Sequence, residues 1–340
     1  MQRNRFIDVL KGILIICVVF YHFPMVEEGR LGFLYPFRNL VIPSFMFITG
    51  YVYALSFQRR NIDSFQKAYG SRMIIEQIIR YVSPFTMAFV AEWILLRILG
   101  IFSVNIFTYG PLAFCFDYLR GGVGMGNYYV PVMLQGVVLF PVIYLLIRKY
   151  QFRGLVYCFL GNAGFEILKS AYYMNEGEYR LIFFRYLFII AAGCYVALGN
   201  TLDQKKTMTV SMVCLLIGGF FFYLFAFTNY VPKIIVFWSA TSFLPCLLIV
   251  PILGVLITRV RLHCYPLELM GKASFNIFLV QMIFYLLAGR IYPLLPEWCP
   301  QLLFSILACV GLGILFYFIE TPITKFLIKT GRKYGSKEKG

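Results

Sequence analysis

Three polar side chains interrupt the apolar stretch from Arg5 to His22: Asp8, Lys11 and His22. At about 100° per helical residue, Lys11 and His22 are three turns and roughly 20° apart, so they share a face at a separation of roughly 16 Å along the axis. Asp8 precedes Lys11 by about one turn and neighbours it there. The stripe carries an acid and a base at one end and an imidazole about half a bilayer further on. An imidazole that is neutral near pH 7 suits removal of a proton from a hydroxyl nucleophile. Plainer readings stand beside these. Lys11 snorkels to the headgroups with Asp8 as its surface partner, and His22 is an interfacial residue near the end of its helix.

Other ionisable groups also fall inside apolar runs, where their cost makes them functional candidates. Arg185, in FFRYLF, is assigned to a cavity, against an acyl carbonyl or a substrate anion; the alternative is snorkelling to the outer surface. Glu166 and Lys169 lie three apart and are expected to neutralise each other. Glu92 and Arg97 are about 140° apart on a helix, so they do not pair, and at least one faces the interior. Glu320 precedes Thr-Pro, and His263 sits in a basic loop as an ordinary loop residue. The sequence has no P-loop, no GxSxG elbow, no HExxH and no Rossmann fingerprint. The nine cysteines show neither CxxC nor zinc spacing, so no metal site or disulfide framework is expected.

Composition supplies the elements that must position these residues. Hydrophobic residues make up 60% of the chain and charged residues 14%, with a mean hydropathy of +0.77. A soluble domain carries about 25% charged residues. Repeated apolar runs of about twenty residues point to an all-α polytopic membrane protein. Ten spans are expected, at roughly 6–26, 37–57, 80–101, 129–147, 154–172, 181–199, 208–228, 234–257, 270–290 and 301–327. Most of the 31 Lys and Arg residues then fall on one side, which places both termini in the cytoplasm. The net charge of +16 is read as topology and contact with anionic membrane lipids, not as nucleic-acid binding.

Residues 58–79 are expected to form the largest cytoplasmic loop, and 102–128 the longest outer segment. The latter holds a short apolar piece, FTYGPLAFCFDYL, read as re-entrant or interfacial. GGVGMGN follows it, as either a mobile hinge beside an outer entrance or a plain loop. Residues 1–330 are read as one transmembrane domain and 331–340 as a short, disordered basic tail. No signal-peptidase site follows the first apolar run, so that run is read as an uncleaved span.

Several stretches together resemble the acyltransferase-3 family of integral membrane O-acyltransferases. FIDVLKGILIICVVFYH (6–22) is similar to the family's first span, in which Asp is followed by a basic residue and, further on, His. FMFITGYVYAL (45–55), NYYVPVMLQGVVLFPVI (127–143), FRYLFIIAAGCYVA (184–197), GKASFNIFLVQ (271–281) and IETP (319–322) resemble its later motifs, in order. The resemblance implies a multi-pass enzyme of a bacterial plasma membrane. Acetyl-CoA or another acyl-CoA would be the donor substrate, with no tightly bound cofactor. The acceptor would be a sugar hydroxyl on a surface polysaccharide or lipid-linked glycan. His22 would be the general base, directly or through an acyl relay. Lys11, with Asp8 beside it and Arg72 or Arg80 nearby, would meet the charged donor. Arg185, Gln281, Ser274 and Glu320 would be further substrate or donor contacts.

Two positions depart from the family pattern. Lys11 stands where Arg is usual, keeping the charge but losing the forked geometry. Gln281 stands where His is common, which places more reliance on His22. The gap of roughly 16 Å matches the reach of an extended pantetheine arm, or else separates two half-sites. Competing classes are a flippase of lipid-linked sugars, which would favour an inverted repeat that the sequence does not display, and a glycan polymerase. The polymerase would favour an arginine-rich outer loop, whereas 102–128 holds only Arg120.

Overall fold

The computed structural model describes residues 4–24, 34, 37–99, 111–124, 126–199, 204–228, 233–235, 238–239, 244–296 and 298–337. Apolar sequence of this length can satisfy its backbone groups in lipid only within helices or a closed barrel, and the described residues are overwhelmingly helical. In chain order the helices are α1 (Phe6–Tyr21), α2 (Arg38–Arg59), α3 (Phe65–Ala68), α4 (Ser71–Ile98), α5 (Pro111–Arg120), α6 (Tyr129–Tyr150) and α7 (Phe152–Ala171). There follow α8 (Glu176–Arg180), α9 (Leu187–Ala197), α10 (Gln204–Phe227), α11 (Ile249–Arg259), α12 (Tyr265–Lys272), α13 (Ser274–Ile291) and α14 (Trp298–Lys337). Among the described residues, five helical stretches are long and apolar enough to cross a membrane: Asn39–Arg59, Phe65–Ile98, Tyr129–Tyr150, Ser274–Leu294 and Cys299–Gly331. Shorter apolar helices occupy Phe183–Ala197, Met208–Leu224 and Leu244–Arg259.

Four expected elements differ in the structure. The stretch 234–257 is not one helix: Lys233–Ile235 pairs antiparallel with Trp238–Ser239, then a 3₁₀ turn at Leu244–Leu248 leads into α11. The β-branched and aromatic run KIIVFWS favours extended backbone, and Pro245 cannot donate a helical hydrogen bond. The stretch 270–290 breaks at Ala273 into α12 and α13. Pro266 starts α12 in the first turn, where its missing N–H costs nothing. The loop expected over 58–79 is shorter, because α4 begins at Ser71. Residues 331–337, expected to be disordered, continue α14 to Lys337.

The chain divides into two compact units. The first comprises 1–7, 33–69 and 139–263, and the second 8–32, 70–138 and 264–340. In the first, α2 and α9 cross at backbone contact. A Cβ at Gly50 would lie 2.0 Å from the Ile190 carbonyl oxygen, and one at Gly193 would lie 1.9 Å from that of Phe47. Beside the crossing, Phe140 meets Tyr53 and Phe57 edge-on at 5.1 and 5.3 Å, and Phe57 meets Tyr144 at 5.0 Å.

In the second unit the close crossing is between α1 and α12. A Cβ at Gly271 would lie 1.8 Å from the Asp8 carbonyl oxygen, and one at Gly12 would lie 2.2 Å from that of Leu267. The contacts pair in reverse order, so α12 runs against α1. After the break at Ala273, α13 returns along α1, placing Tyr285 at Val19 and Tyr292 at Phe23. Helix α14 packs on α13 through Gly313, where a Cβ would lie 2.5 Å from Ile277 Cα. Small residues permit such approach where lipid supplies no hydrophobic drive between helices.

Because no side chain fits between α2 and α9, Gly193→Ala is expected to cost roughly 1–3 kcal/mol through a forced backbone shift. Thermal unfolding of the purified protein in detergent, read by size-exclusion fluorescence, checks this; an unchanged transition would refute the crossing.

Candidate functional site

Helix α1 places the acid and base of the opening stripe together. Asp8 is buried, and Lys11 Nζ lies 4.0 Å from its Oδ1 with the lysine side chain 28% exposed. His22 lies just past the last residue of α1, but its N–H still donates to the Val18 carbonyl at 3.3 Å, so the helical register carries through to it. Its half-buried ring sits 6.0 Å from the Tyr285 ring, tilted by 50°. The Tyr285 hydroxyl donates to the Val19 carbonyl. Tyr285 therefore ties the end of α1 to α13 and sets one wall beside the imidazole. The sequence reading missed this residue; its only sequence signal is its position one helical turn after Gln281.

Gln281 and Tyr285 share a face of α13. Gln281 is fully buried, and neither its amide nitrogen nor its amide oxygen has a hydrogen-bond partner among the described residues. Leaving such groups unpaired costs about 1–3 kcal/mol each. Ser274 is buried at the first residue of α13. Glu320 is buried in a polar chain. Asn276 Nδ2 donates to its Oε2 at 3.3 Å, the Thr324 hydroxyl bonds its Oε1, and Thr324 lies 2.8 Å from Ser83 Oγ. Arg72 is exposed, with its Nε 3.4 Å from Glu76 Oε1, and Arg80 is exposed on the same helix. All these residues belong to the second unit.

A second missed feature joins two separately noted signals. Glu92, buried in α4, accepts hydrogen bonds from the Gly124 N–H at 2.9 Å and the Val123 N–H at 3.4 Å. The loop reaches it through left-handed backbone at Gly121 and Gly122, with φ of 94° and 102°, a conformation glycine adopts without strain. Asn127 Nδ2 closes the turn on the Gly122 carbonyl at 3.0 Å. The glycines thus bring backbone donors to a buried carboxylate. No periodicity rule links residues thirty apart, so the sequence showed the acid and the loop but not their union.

Arg185 belongs to the first unit. It lies in a 3₁₀ turn, Phe183–Tyr186, ahead of α9. Its guanidinium sits 4.5 Å from the Tyr179 ring centre and 5.4 Å from that of Tyr186, with Nη1 3.8 Å from Glu176 Oε1. Glu166 and Lys169 do not neutralise each other as expected. Glu166 accepts a hydrogen bond from the Tyr179 hydroxyl, while Lys169 lies 3.4 Å from Glu176 and 4.1 Å from the Tyr179 ring centre. The reason is tertiary: α8, capped by Asn175 through a 2.8 Å bond from the Glu178 N–H, folds Tyr179 back between the two. Burial opposes ionisation of Glu176, yet Arg180, Arg185 and Lys169 together hold its carboxyl below the usual range. His263 is exposed in an irregular segment, and Arg120 rests 4.8 Å from the Phe116 ring centre. Among the described residues, no group of three or more His, Cys, Asp or Glu side chains is arranged to hold a metal ion.

A family model described as an acyltransferase domain matches residues 4–319. No curated protein and no solved structure matches the chain.

Two measurements test this geometry. Glu92→Ala removes the acceptor for the glycine turn, so amide exchange at 121–124 should accelerate by about tenfold or more; unchanged protection would show that the turn holds itself. Glu176, with its folded pKa depressed, contributes stability that is present above the unfolded carboxylate range and lost as pH falls through its folded value. The effect is small for a half-exposed group. Exchange across 176–185, taken relative to the intrinsic rate at each pH, should rise on acidification, and Glu176→Gln should abolish that relative increase.

Proposed function

The chain belongs to the acyltransferase-3 family and is a membrane acyltransferase, and on that premise we propose that it moves an acetyl group from acetyl-CoA, or another acyl group from its CoA thioester, to a sugar hydroxyl. The acceptor is a cell-surface polysaccharide or a lipid-linked glycan. The single observation that carries the assignment is the α1 stripe, with a buried Asp8 beside Lys11 and His22 held against Tyr285 one half-bilayer along.

In this proposal the acceptor oxygen attacks the thioester carbonyl carbon while its proton passes to the His22 imidazole. The C–S bond breaks, and the departing thiolate takes up a proton to leave as free CoA. Lys11 attracts the anionic donor, and Asp8 holds the ammonium in place. The buried Gln281 amide, without a hydrogen-bond partner among the described residues, suits a hydrogen bond to the acyl carbonyl as negative charge develops there. Arg72 and Arg80, exposed on α4, suit donor phosphates, whereas Arg185, Ser274 and Glu320 are assigned to substrate contacts. No tightly bound cofactor is required. The proposed setting is a bacterial plasma membrane, crossed ten times with both termini cytoplasmic, so that Lys11 is inner and His22 outer.

Transfer of labelled acetyl from acetyl-CoA to glycan in isolated membranes tests the proposal. His22→Ala should lower the rate by about 10²–10⁴-fold at unchanged protein level. Full activity in that variant would remove His22 from the chemistry, and wild-type membranes that label no glycan would remove the sugar acceptor.

A further inference from the structure

A cleft of about 600 Å³ opens in the first unit at the C-terminus of α2, lined in part by Gln58, Arg59, Asp63, Tyr144 and Arg148. No role above uses these residues. The local sequence explains its shape. Asn61 ends α2 in left-handed backbone with φ 52°, donating its N–H to the Gln58 carbonyl, while the Ile62 N–H reaches back to the Phe57 carbonyl, both at 3.1 Å. This is a Schellman cap, with asparagine in the position that usually takes glycine. It presents the Ile62 carbonyl to Arg148, whose Nη1 donates to it and so fixes the guanidinium at the cleft wall.

The cleft's acid does not quench its bases. Lys67 Nζ donates to Asp63 Oδ2 at 2.8 Å, and that hydrogen bond, aided by the Arg148 charge, holds the Asp63 carboxyl below its usual range. Arg59 is exposed and forms no ion pair among the described residues. Arg59 and Arg148 therefore line one open space in which the acid is hydrogen-bonded to Lys67. The side-chain oxygen of Gln58 is shielded from solvent and accepts no hydrogen bond among the described residues, leaving an acceptor for a ligand N–H or O–H.

We infer that Arg59 and Arg148 clamp a phosphate group in this cleft, supplied by the nucleotide end of an acyl-CoA or by an anionic phospholipid headgroup. Guanidinium forks match phosphate oxygens in geometry and charge. The volume falls within the range of small-molecule sites, and basic pockets at the ends of membrane helices also receive lipid headgroups. The nucleotide source rests on the donor proposed above; the lipid source does not.

The full-length protein in phosphatidylcholine nanodiscs is titrated with adenosine 3′,5′-bisphosphate by calorimetry, and separately with short-chain phosphatidylglycerol by native mass spectrometry. Arg59→Ala and Arg148→Ala are compared with wild type, with melting temperature as the fold control. Arg59→Ala disturbs no bond that shapes the cleft, so it tests the site even if Arg148→Ala unfolds. Weakening of one probe by about tenfold or more supports the clamp, and that probe names the phosphate source. Failure of both probes to bind wild type, or wild-type affinity for both in folded Arg59→Ala, overturns it. Acetyl transfer measured in parallel separates the two claims. Nucleotide binding through the arginines without transfer leaves the clamp and removes the proposed reaction; transfer with neither probe bound does the reverse.

Discussion

Helices can come to backbone contact only where the facing position carries no side chain, and the second unit depends on one such crossing. Gly271 lies against the Asp8 carbonyl and Gly12 against that of Leu267, with no room for a methyl group at either. The crossing holds α12 against the segment of α1 that bears Asp8 and Lys11. The break at Ala273 then sends α13 back along the same helix. Tyr285 consequently reaches the Val19 carbonyl and the His22 ring. A larger side chain at either glycine would move α13 away from α1 and take that wall from the imidazole.

A second constraint acts throughout: a polar group without water must find its partner inside the protein. The structure meets it for three buried acids with neutral donors. Glu92 has two backbone amides, Glu320 has Asn276 and Thr324, and Glu166 has the Tyr179 hydroxyl. Asp8 and Glu76 instead face a cation, the Lys11 ammonium at 4.0 Å and the Arg72 Nε at 3.4 Å. An acid held by neutral donors ties elements together without attracting a counter-charge. An acid–base pair keeps a cation in position beside it, which suits a place where an anion arrives.

The sequence made some of this legible and hid the rest for identifiable reasons. The α1 stripe could be read because a single helix has one period, and α1 keeps that register through His22. The angular separation of Glu92 from Arg97 was readable in the same way, and Arg97 instead lies 5.6 Å from the Trp93 ring centre. Partners from other elements were not readable. Glu166 pairs with Tyr179 instead of its helical neighbour Lys169, and Glu92 is served by a glycine turn thirty residues on. Breaks within apolar runs were equally hidden. The run 234–257 holds no charged residue and 270–290 holds only Lys272 and Arg290, and average hydropathy does not distinguish an extended pair or a corner from a continuous helix.

Hydrogen-bond accounting finally separates residues that build the second unit from one that is left available. The Tyr285 hydroxyl is committed to Val19, so its ring, not its oxygen, is what it offers His22. Both Glu320 oxygens are engaged, and a ligand could bind them only by displacing Asn276 or Thr324. Gln281, one turn from Tyr285 on the same face, has a donor and an acceptor that bond to nothing among the described residues, although the residue is fully enclosed. An apolar residue of similar size would avoid that cost at no loss to the packing. In the proposed reaction that unspent donor and acceptor are what Gln281 would offer an entering polar group.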